Sequence, residues 1–341
     1  MKTAAQTSQE LREEWMAAKA NPRFIFGYGR YGDGKQWVQL DELTGGLQTN
    51  NLAALVALPK DGKSMLAAAW VPIIAEQADE VGEVVRVITL ETSRQTYQRR
   101  MAALMAGIKE PKNIKRGMLS VADEKKYLSA LDWLEGLPIE YLDNKDLTDE
   151  QALQLGNSPI SFDNMAQFVS GVSMQAVKRG SAVELPPQRK KTYWWLLDHV
   201  GLLSDLRNKN NRTWALYDLA DQLADLAHRY ATGLFITHLN REAAGSGNRP
   251  TLSNIGGSDQ IGRNCDQIFT LWRPWKDASE EDRAAVGATE AEPVFLIFQS
   301  RDEGSGVDTL VWQHEYASYT ELVLGPGVKL PSLLPQTKKK K

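Results

Sequence analysis

The sequence predicts an α/β domain with a mostly parallel central sheet flanked by helices, and three observations predict it. Apolar runs at Leu52–Ala57, Val84–Leu90 and Tyr193–Asp198 read as buried strands. Helical patterns over 63–79 and from Arg94 to Gly107 follow the first two, and the alternation of strand and helix is that of a parallel βαβ unit. The first strand also runs directly into Ala57-Leu58-Pro59-Lys60-Asp61-Gly62-Lys63-Ser64, after which Met65-Leu66-Ala67-Ala68-Ala69 forms helix readily. Strand, glycine-containing loop and helix in that order make a phosphate-binding loop.

The remaining elements follow along the chain. Residues 7–20 predict a short helix with Leu11, Trp15 and Met16 on one face, stopped by Asn21-Pro22. We expect it to be a local packing element, because so short a helix is marginal alone. Gly27 to Gly34 is glycine-rich, but no helix follows it, and it reads as a turn. Beyond Gly107 the chain predicts a helix over about 121–136 and a short strand at Ile139–Leu142. The polar segment that follows ends in a Lys/Arg/Pro-rich patch at Pro186–Lys191, read as an exposed loop. After the strand ending at Asp198 come a long helix around 212–230 and strands at Gly233–Thr237, Gln267–Leu271 and Val294–Gln299. Lysines 338–341 form a solvated tail.

Composition narrows the function classes. With 341 residues, 42% hydrophobic and 24% charged, the chain is long enough for one large α/β domain with appendages or for two domains. A net charge of −3 does not mark a nucleic-acid binder, so any such contact must be a local cluster of Lys and Arg. One cysteine, Cys265, excludes an intrachain disulfide and points to a reducing, cytoplasmic setting; four scattered histidines give no zinc spacing. No apolar run reaches the ~18 residues that span a bilayer, and we expect neither membrane insertion nor secretion.

The phosphate loop implies ATP with Mg²⁺. Backbone amides between Lys60 and Ser64 would face phosphate oxygens, Lys63 would supply a cation, and the Ser64 hydroxyl would hold the metal. Hydrolysis further needs a metal-linked carboxylate, a group that orients the attacking water, and a cation for charge developing on the γ-phosphate. Asp198 ends an apolar strand and is the candidate for Mg²⁺, with helix capping as its plain alternative. Glu91 ends the strand after the phosphate-loop helix and is the candidate base, its alternative being an acid favoured by the dipole of the following helix.

Several separated motifs resemble one family, the motor domain of DnaB-type replicative helicases, which has the RecA-like fold. The resemblance covers about Leu40 to Leu310. Leu40-Asp41-Glu42-Leu43-Thr44-Gly45-Gly46-Leu47-Gln48 resembles the family's opening segment. Ala57-Leu58-Pro59-x-x-Gly62-Lys63-Ser64 is similar to its phosphate loop, in which alanine commonly replaces the first glycine. Thr89–Ser93 resembles the strand end bearing the catalytic glutamate, and Leu196-Leu197-Asp198 the Mg²⁺-linked aspartate. Thr237-His238-Leu239-Asn240-Arg241-Glu242, Arg249-Pro250-Thr251-Leu252-Ser253, Ile261 and Asp266 follow in family order. The resemblance implies a homo-oligomeric ring, usually hexameric, that couples ATP hydrolysis to translocation on single-stranded DNA in replication, with a loader or primase as a further partner. It also implies that Arg301 acts in trans on a neighbour's ATP, that His238 senses the γ-phosphate, and that Gly256, Gly257 and Ser258 stand at the DNA loop, where the flanking Arg249 and Arg263 would supply charge.

Three departures stand out. His238 replaces a usual glutamine, Gln299 replaces a lysine two residues before the arginine, and Gly256-Gly257-Ser258-Asp259 replaces a charged DNA loop. We therefore divide the chain into an N-terminal helix and linker (1–36), the motor domain (37–325, with an insertion at about 143–190) and a basic tail (326–341). We expect a motor-only form without the family's N-terminal helical domain, which would suit a phage, plasmid or mobile element. An ATP-switched ring or filament that binds single strands with little unwinding is the second expectation. A small-molecule kinase is the third, and it leaves the Leu-Asn-Arg and Arg-Pro-x-Leu-Ser pieces without a role.

Overall fold

All seven strands read from the sequence are present, and two more extend the sheet beyond them. They are β1 (Leu52–Ala57), β2 (Val84–Thr89), β3 (Ile139–Asp143), β4 (Thr192–Asp198), β5 (Thr232–His238), β6 (Gln267–Trp272), β7 (Ala291–Ser300), β8 (Gly304–Gln313) and β9 (Ser318–Glu321). The helices are α1 (Ala4–Ala20), α2 (Val38–Thr44), α3 (Lys63–Glu80), α4 (Arg94–Met105), α5 (Lys112–Arg116), α6 (Val121–Glu135), α7 (Phe162–Ser170), α8 (Ser204–Arg207), α9 (Arg212–Arg229) and α10 (Ser258–Asn264). This computed structural model describes residues 3–20, 37–143, 160–170, 190–207, 212–239, 250–251, 254–255, 258–276, 281, 291–301, 304–313 and 318–321. Gly27–Gly34, Pro186–Arg189 and the lysine tail lie outside them.

The sheet order is β3-β2-β4-β5-β1-β6-β7-β8-β9. The first six strands of that order are mutually parallel, and β7, β8 and β9 are antiparallel. Successive residues of a strand face opposite sides, so each parallel strand feeds two cores. Ala53 and Leu55 of β1, Val85 and Val87 of β2, and Trp194 and Leu196 of β4 pack with Trp70, Tyr97 and Leu134 from α3, α4 and α6. Ala54, Val56, Ile88, Trp195 and Leu197 pack on the other side with Phe168 of α7, Leu219 and Leu223 of α9 and Ile261 of α10. Both faces are covered, which is why these strands read as continuous apolar runs rather than as alternations. Gly233 of β5 lies directly beneath the Trp195 ring, where a Cβ would fall 1.9 Å from a ring carbon, so only glycine lets β5 pair with β4 at that level.

One feature differs from expectation, and a second carries no signal in the sequence. Leu11, Trp15 and Met16 of α1 are 59–61% exposed, so this apolar stripe is not a local packing element of the described structure. Arg86, inside the apolar β2, is fully buried. Its guanidinium meets Glu140 at 3.0 Å, donates to the carbonyls of Val169 (2.8 Å) and Lys190 (3.0 Å) and to the Thr192 hydroxyl, and lies over the Phe168 ring. A buried charge persists only when so satisfied. Here it ties α7, which arises from the predicted insertion, to the sheet. Among the described residues no helix is long and apolar enough to cross a membrane.

Candidate active site

Four strand ends converge because β2, β4, β5 and β1 are consecutive and parallel. The register sets Thr89 beside Asp198 and Ala57 beside His238, so the carboxyl ends of all four strands open onto one edge. The Leu90 and Glu91 amides both reach the Asp198 carbonyl, at 2.7 and 3.4 Å, which fixes Glu91 next to the end of β4.

The loop after β1 is curled by left-handed residues at Lys60 (φ 65°) and Gly62 (φ 89°), the latter being the N-cap of α3. Hydrogen bonding within α3 begins with Met65 and Leu66, both donating to the Gly62 carbonyl, so the Lys63 and Ser64 amides are the helix's first unused donors. The polar groups of Ala57, Pro59 and Asp61 are spent on the protein itself. The Ala57 carbonyl accepts from Lys63, the Pro59 carbonyl accepts from Lys276, and the Asp61 amide donates to Leu58 while its carboxylate pairs with Lys276. Lys60 is exposed.

Lys63 is buried, and its ammonium donates to the carbonyls of Ala57 (3.0 Å) and Leu58 (2.9 Å) and to His238 Nδ1 (3.0 Å). A charged lysine has three donors and no acceptor, so His238 must offer a bare Nδ1 and be neutral. Burial and the neighbouring Lys63 hold His238 down to about 4, which agrees. Burial also lowers Lys63 to about 8, against the opposing pull of Asp61, Asp198 and Glu91. The His238 ring packs edge-on against His199, with centroids 4.7 Å apart. His199 Nδ1 accepts from the Gly201 amide at 3.1 Å, and its Nε2 faces Glu91 Oε2 at 4.0 Å. Lys63, His238, His199 and Glu91 thus form a connected row, of which His199 had no signal in the sequence beyond following Asp198.

Asp198 is 1% exposed and neither carboxylate oxygen has a hydrogen-bond partner. Burial raises its pKa to about 6; the adjacent Ser64 hydroxyl pulls the other way but lies outside hydrogen-bonding geometry. It is not a helix cap, since His199 caps the 3₁₀ turn at Val200–Leu202. Glu91 is no cap either: Ser93 accepts from the Thr96 amide and Asp143 from the Arg94 amide at the start of α4. The capping alternative for Asp198 is therefore filled by another residue, Glu91 precedes α4 without capping it, and both carboxylates stand at the edge beside Lys63.

Residues 34–321 match the family model described as the DnaB-like helicase C terminal domain. The chain belongs to this family. Among solved structures it is similar to one described as an ATPase domain, with 19% identity, 95% of this chain and 100% of the other covered, and a TM-score of 0.69. It is also similar to "The Structure Of A DnaB-Like Replicative Helicase And Its Interactions With Primase", with 18% identity, 95% and 68% covered, and a TM-score of 0.66. A comparison with curated proteins gives no match. The fold is RecA-like, as the sequence implies.

In this DnaB-like domain Arg301 stands at the opposite end of the sheet from its own phosphate loop. β7 runs against β6, pairing Ser300 with Gln267, and Gln267 lies beside Ala53 at the start of β1. Six strand residues place Arg301 on the order of 15–20 Å from the loop after Ala57. Its side chain is 49% exposed, paired with Asp266 at 3.3 Å and donating to the Arg263 carbonyl. Asp266 also holds the Leu52 amide (2.9 Å) and His228 (3.0 Å). Arg263, at the end of α10, is exposed near Arg301. Arg249, Gly256 and Gly257 lie outside the described residues; Ser258 opens α10.

An Asp198→Asn variant is expected to bind the Mg²⁺ form of a nucleoside triphosphate poorly and yet to be more heat-stable without ligand. A carboxyl whose folded pKa is raised from 3.8 to about 6 favours folding below pH 4, and that contribution is lost as pH rises through 6. At pH 7 the ionised group therefore costs roughly 1–3 kcal/mol, part of which the amide recovers. Melting curves of the metal-free proteins at pH 5 and pH 7.5 check this: the gain should appear at 7.5 and shrink at 5.

Proposed function

We propose that this DnaB-like domain is an ATP-driven motor that assembles as a homo-oligomeric ring, translocates on single-stranded DNA and unwinds duplex DNA. The observation that carries the reading is the convergence of Lys63, Ser64, Asp198 and Glu91 on one edge, with both Asp198 oxygens buried and unpartnered. A hard divalent cation suits such a carboxylate beside a hydroxyl, so Asp198 and Ser64 fit Mg²⁺. Bound there, the ion would offset phosphate charge. The chain's own groups do the rest. The Lys63 and Ser64 amides and the Lys63 ammonium hold phosphates, and Glu91, half exposed at the rim, orients a water and takes its proton. His238 shares Lys63 with two carbonyls and so registers whether a phosphate has drawn the ammonium away. Arg301, out of reach of its own site, is offered to a neighbour. The exposed Leu11, Trp15 and Met16 of α1 suit burial against an adjacent subunit.

The occupied ammonium of Lys63 and the absence of a lysine at Gln299 favour a slower ATP-switched ring as the second reading. ATP turnover measured with and without single-stranded DNA, beside the Lys63→Ala variant, separates the two. Strong stimulation by the strand, lost in the variant, is expected for the motor. Turnover indifferent to any nucleic acid would sink the motor reading and leave the switch or a different acceptor. Lys63→Ala should weaken triphosphate binding roughly tenfold or more, since it removes charge-assisted hydrogen bonds.

A further inference from the structure

Lys276 lies in the turn after β6 and reaches back along the carboxyl edge of the sheet to the phosphate loop. Its Nζ is 2.6 Å from Asp61 Oδ1 and 3.0 Å from the Pro59 carbonyl. The turn is itself anchored. Arg273 makes a two-point ion pair with Glu292 of β7, at 3.0 and 2.6 Å, and both side chains are buried. The Lys276 amide closes the turn onto the Arg273 carbonyl at 3.4 Å. A lysine remote in sequence is thus built onto the phosphate loop from a rigid base.

The need for it lies in Asp61. A carboxylate 3% exposed sits between Lys60 and Gly62, in a loop whose neighbouring donors would gather a polyanion. Burial opposes its ionisation, and Lys276, by hydrogen bond and by charge, is the first of the groups that favour it, ahead of Lys63 and Arg273. Left uncompensated, a negative charge within the loop that gathers the phosphates lowers affinity by on the order of tenfold or more at the effective dielectric of a protein surface. Lys276 sits where it cancels that charge, and its second bond to Pro59 braces the loop at the same time.

We propose that Lys276 is a positioning residue for nucleotide binding, which neutralises Asp61 and braces the phosphate loop so that a nucleoside triphosphate meets it as a cationic cradle. The inference rests on the nucleotide-binding reading above and deepens it. Titration of the full chain with a fluorescent ATP analogue and Mg²⁺, with melting temperatures recorded alongside, tests it. Lys276→Ala is expected to weaken binding about tenfold and Lys276→Arg to keep it. Asp61→Ala alone should bind as tightly as the unsubstituted chain or more tightly, and the double variant Asp61→Ala/Lys276→Ala should regain most of the lost affinity. Unchanged binding in Lys276→Ala overturns the proposal. So does a double variant as weak as Lys276→Ala, which would mean a merely structural brace or a direct contact to nucleotide. If Lys276→Ala does not fold, a tenfold loss in Asp61→Ala overturns it instead. A chain that binds no nucleotide, itself no tighter than Lys63→Ala, removes the nucleotide reading and this inference with it; normal binding with an indifferent Lys276 removes this inference alone.

Discussion

Glu91→Gln is expected to lower ATP turnover by two to four orders of magnitude while leaving the affinity for Mg²⁺-ATP within a few-fold. Glutamine keeps the shape and the hydrogen-bonding reach of the side chain and removes only its capacity to take a proton. That selectivity matters because Glu91 is held by its backbone: the Leu90 and Glu91 amides are tied to the Asp198 carbonyl whatever the side chain is. Glu91 is also about half exposed, so an amide there leaves no buried polar group unpaired. Loss of folding or of binding is therefore not expected to contaminate the result. Single-turnover hydrolysis beside equilibrium nucleotide binding checks it. Turnover unchanged within a few-fold would remove Glu91 from the mechanism and turn attention to His199, whose Nε2 lies 4.0 Å from the Glu91 carboxylate.

What the sequence made visible follows from what local patterns encode. Strands buried on both faces are written as apolar runs, and residues directly after such strands fall on one edge, so Lys63, Glu91, Asp198 and His238 could be grouped before any fold was seen. Pairings between distant segments left no trace. Lys276 meets Asp61 only because β6 lies beside β1, and nothing in Arg273-Pro274-Trp275-Lys276 announces it. Nothing around Arg86 in β2 signals that α7, Lys190 and the start of β4 supply its acceptors. β8 begins Gly304-Ser305-Gly306-Val307-Asp308, a segment without strand-like apolar density. Its pairing along the whole of β7, from Ser300–Gly304 to Ala291–Gln313, makes it one. The stripe of α1 was legible as a stripe, while its exposure in the described structure was not.

Arg301→Ala is expected to reduce steady-state hydrolysis by about 10³-fold or more, and mixing it with Lys63→Ala is expected to restore part of the activity. The second half of that statement follows from the proposed trans role of Arg301 together with the sheet topology. Arg301 follows the antiparallel β7 at the edge opposite the phosphate loop, so no side-chain movement brings it to its own site. An Arg301→Ala subunit keeps a competent nucleotide site without a finger, and a Lys63→Ala subunit keeps a finger without a competent site. Only a mixed interface joins the two intact halves. The pairing of Arg301 with Asp266 does not stand in the way. A half-exposed ion pair is worth about 0–1 kcal/mol, against the roughly 4–7 kcal/mol that a trans arginine contributes to the transition state. The Arg301 amide on the Asp266 carbonyl, at 3.0 Å, instead keeps the base of the finger in place while its tip exchanges partners. Hydrolysis followed across mixing ratios reads this directly: activity should peak at intermediate ratios and vanish at both ends. Full activity of Arg301→Ala alone would rule out the finger, and a flat mixing curve at the inactive level would rule out its action in trans.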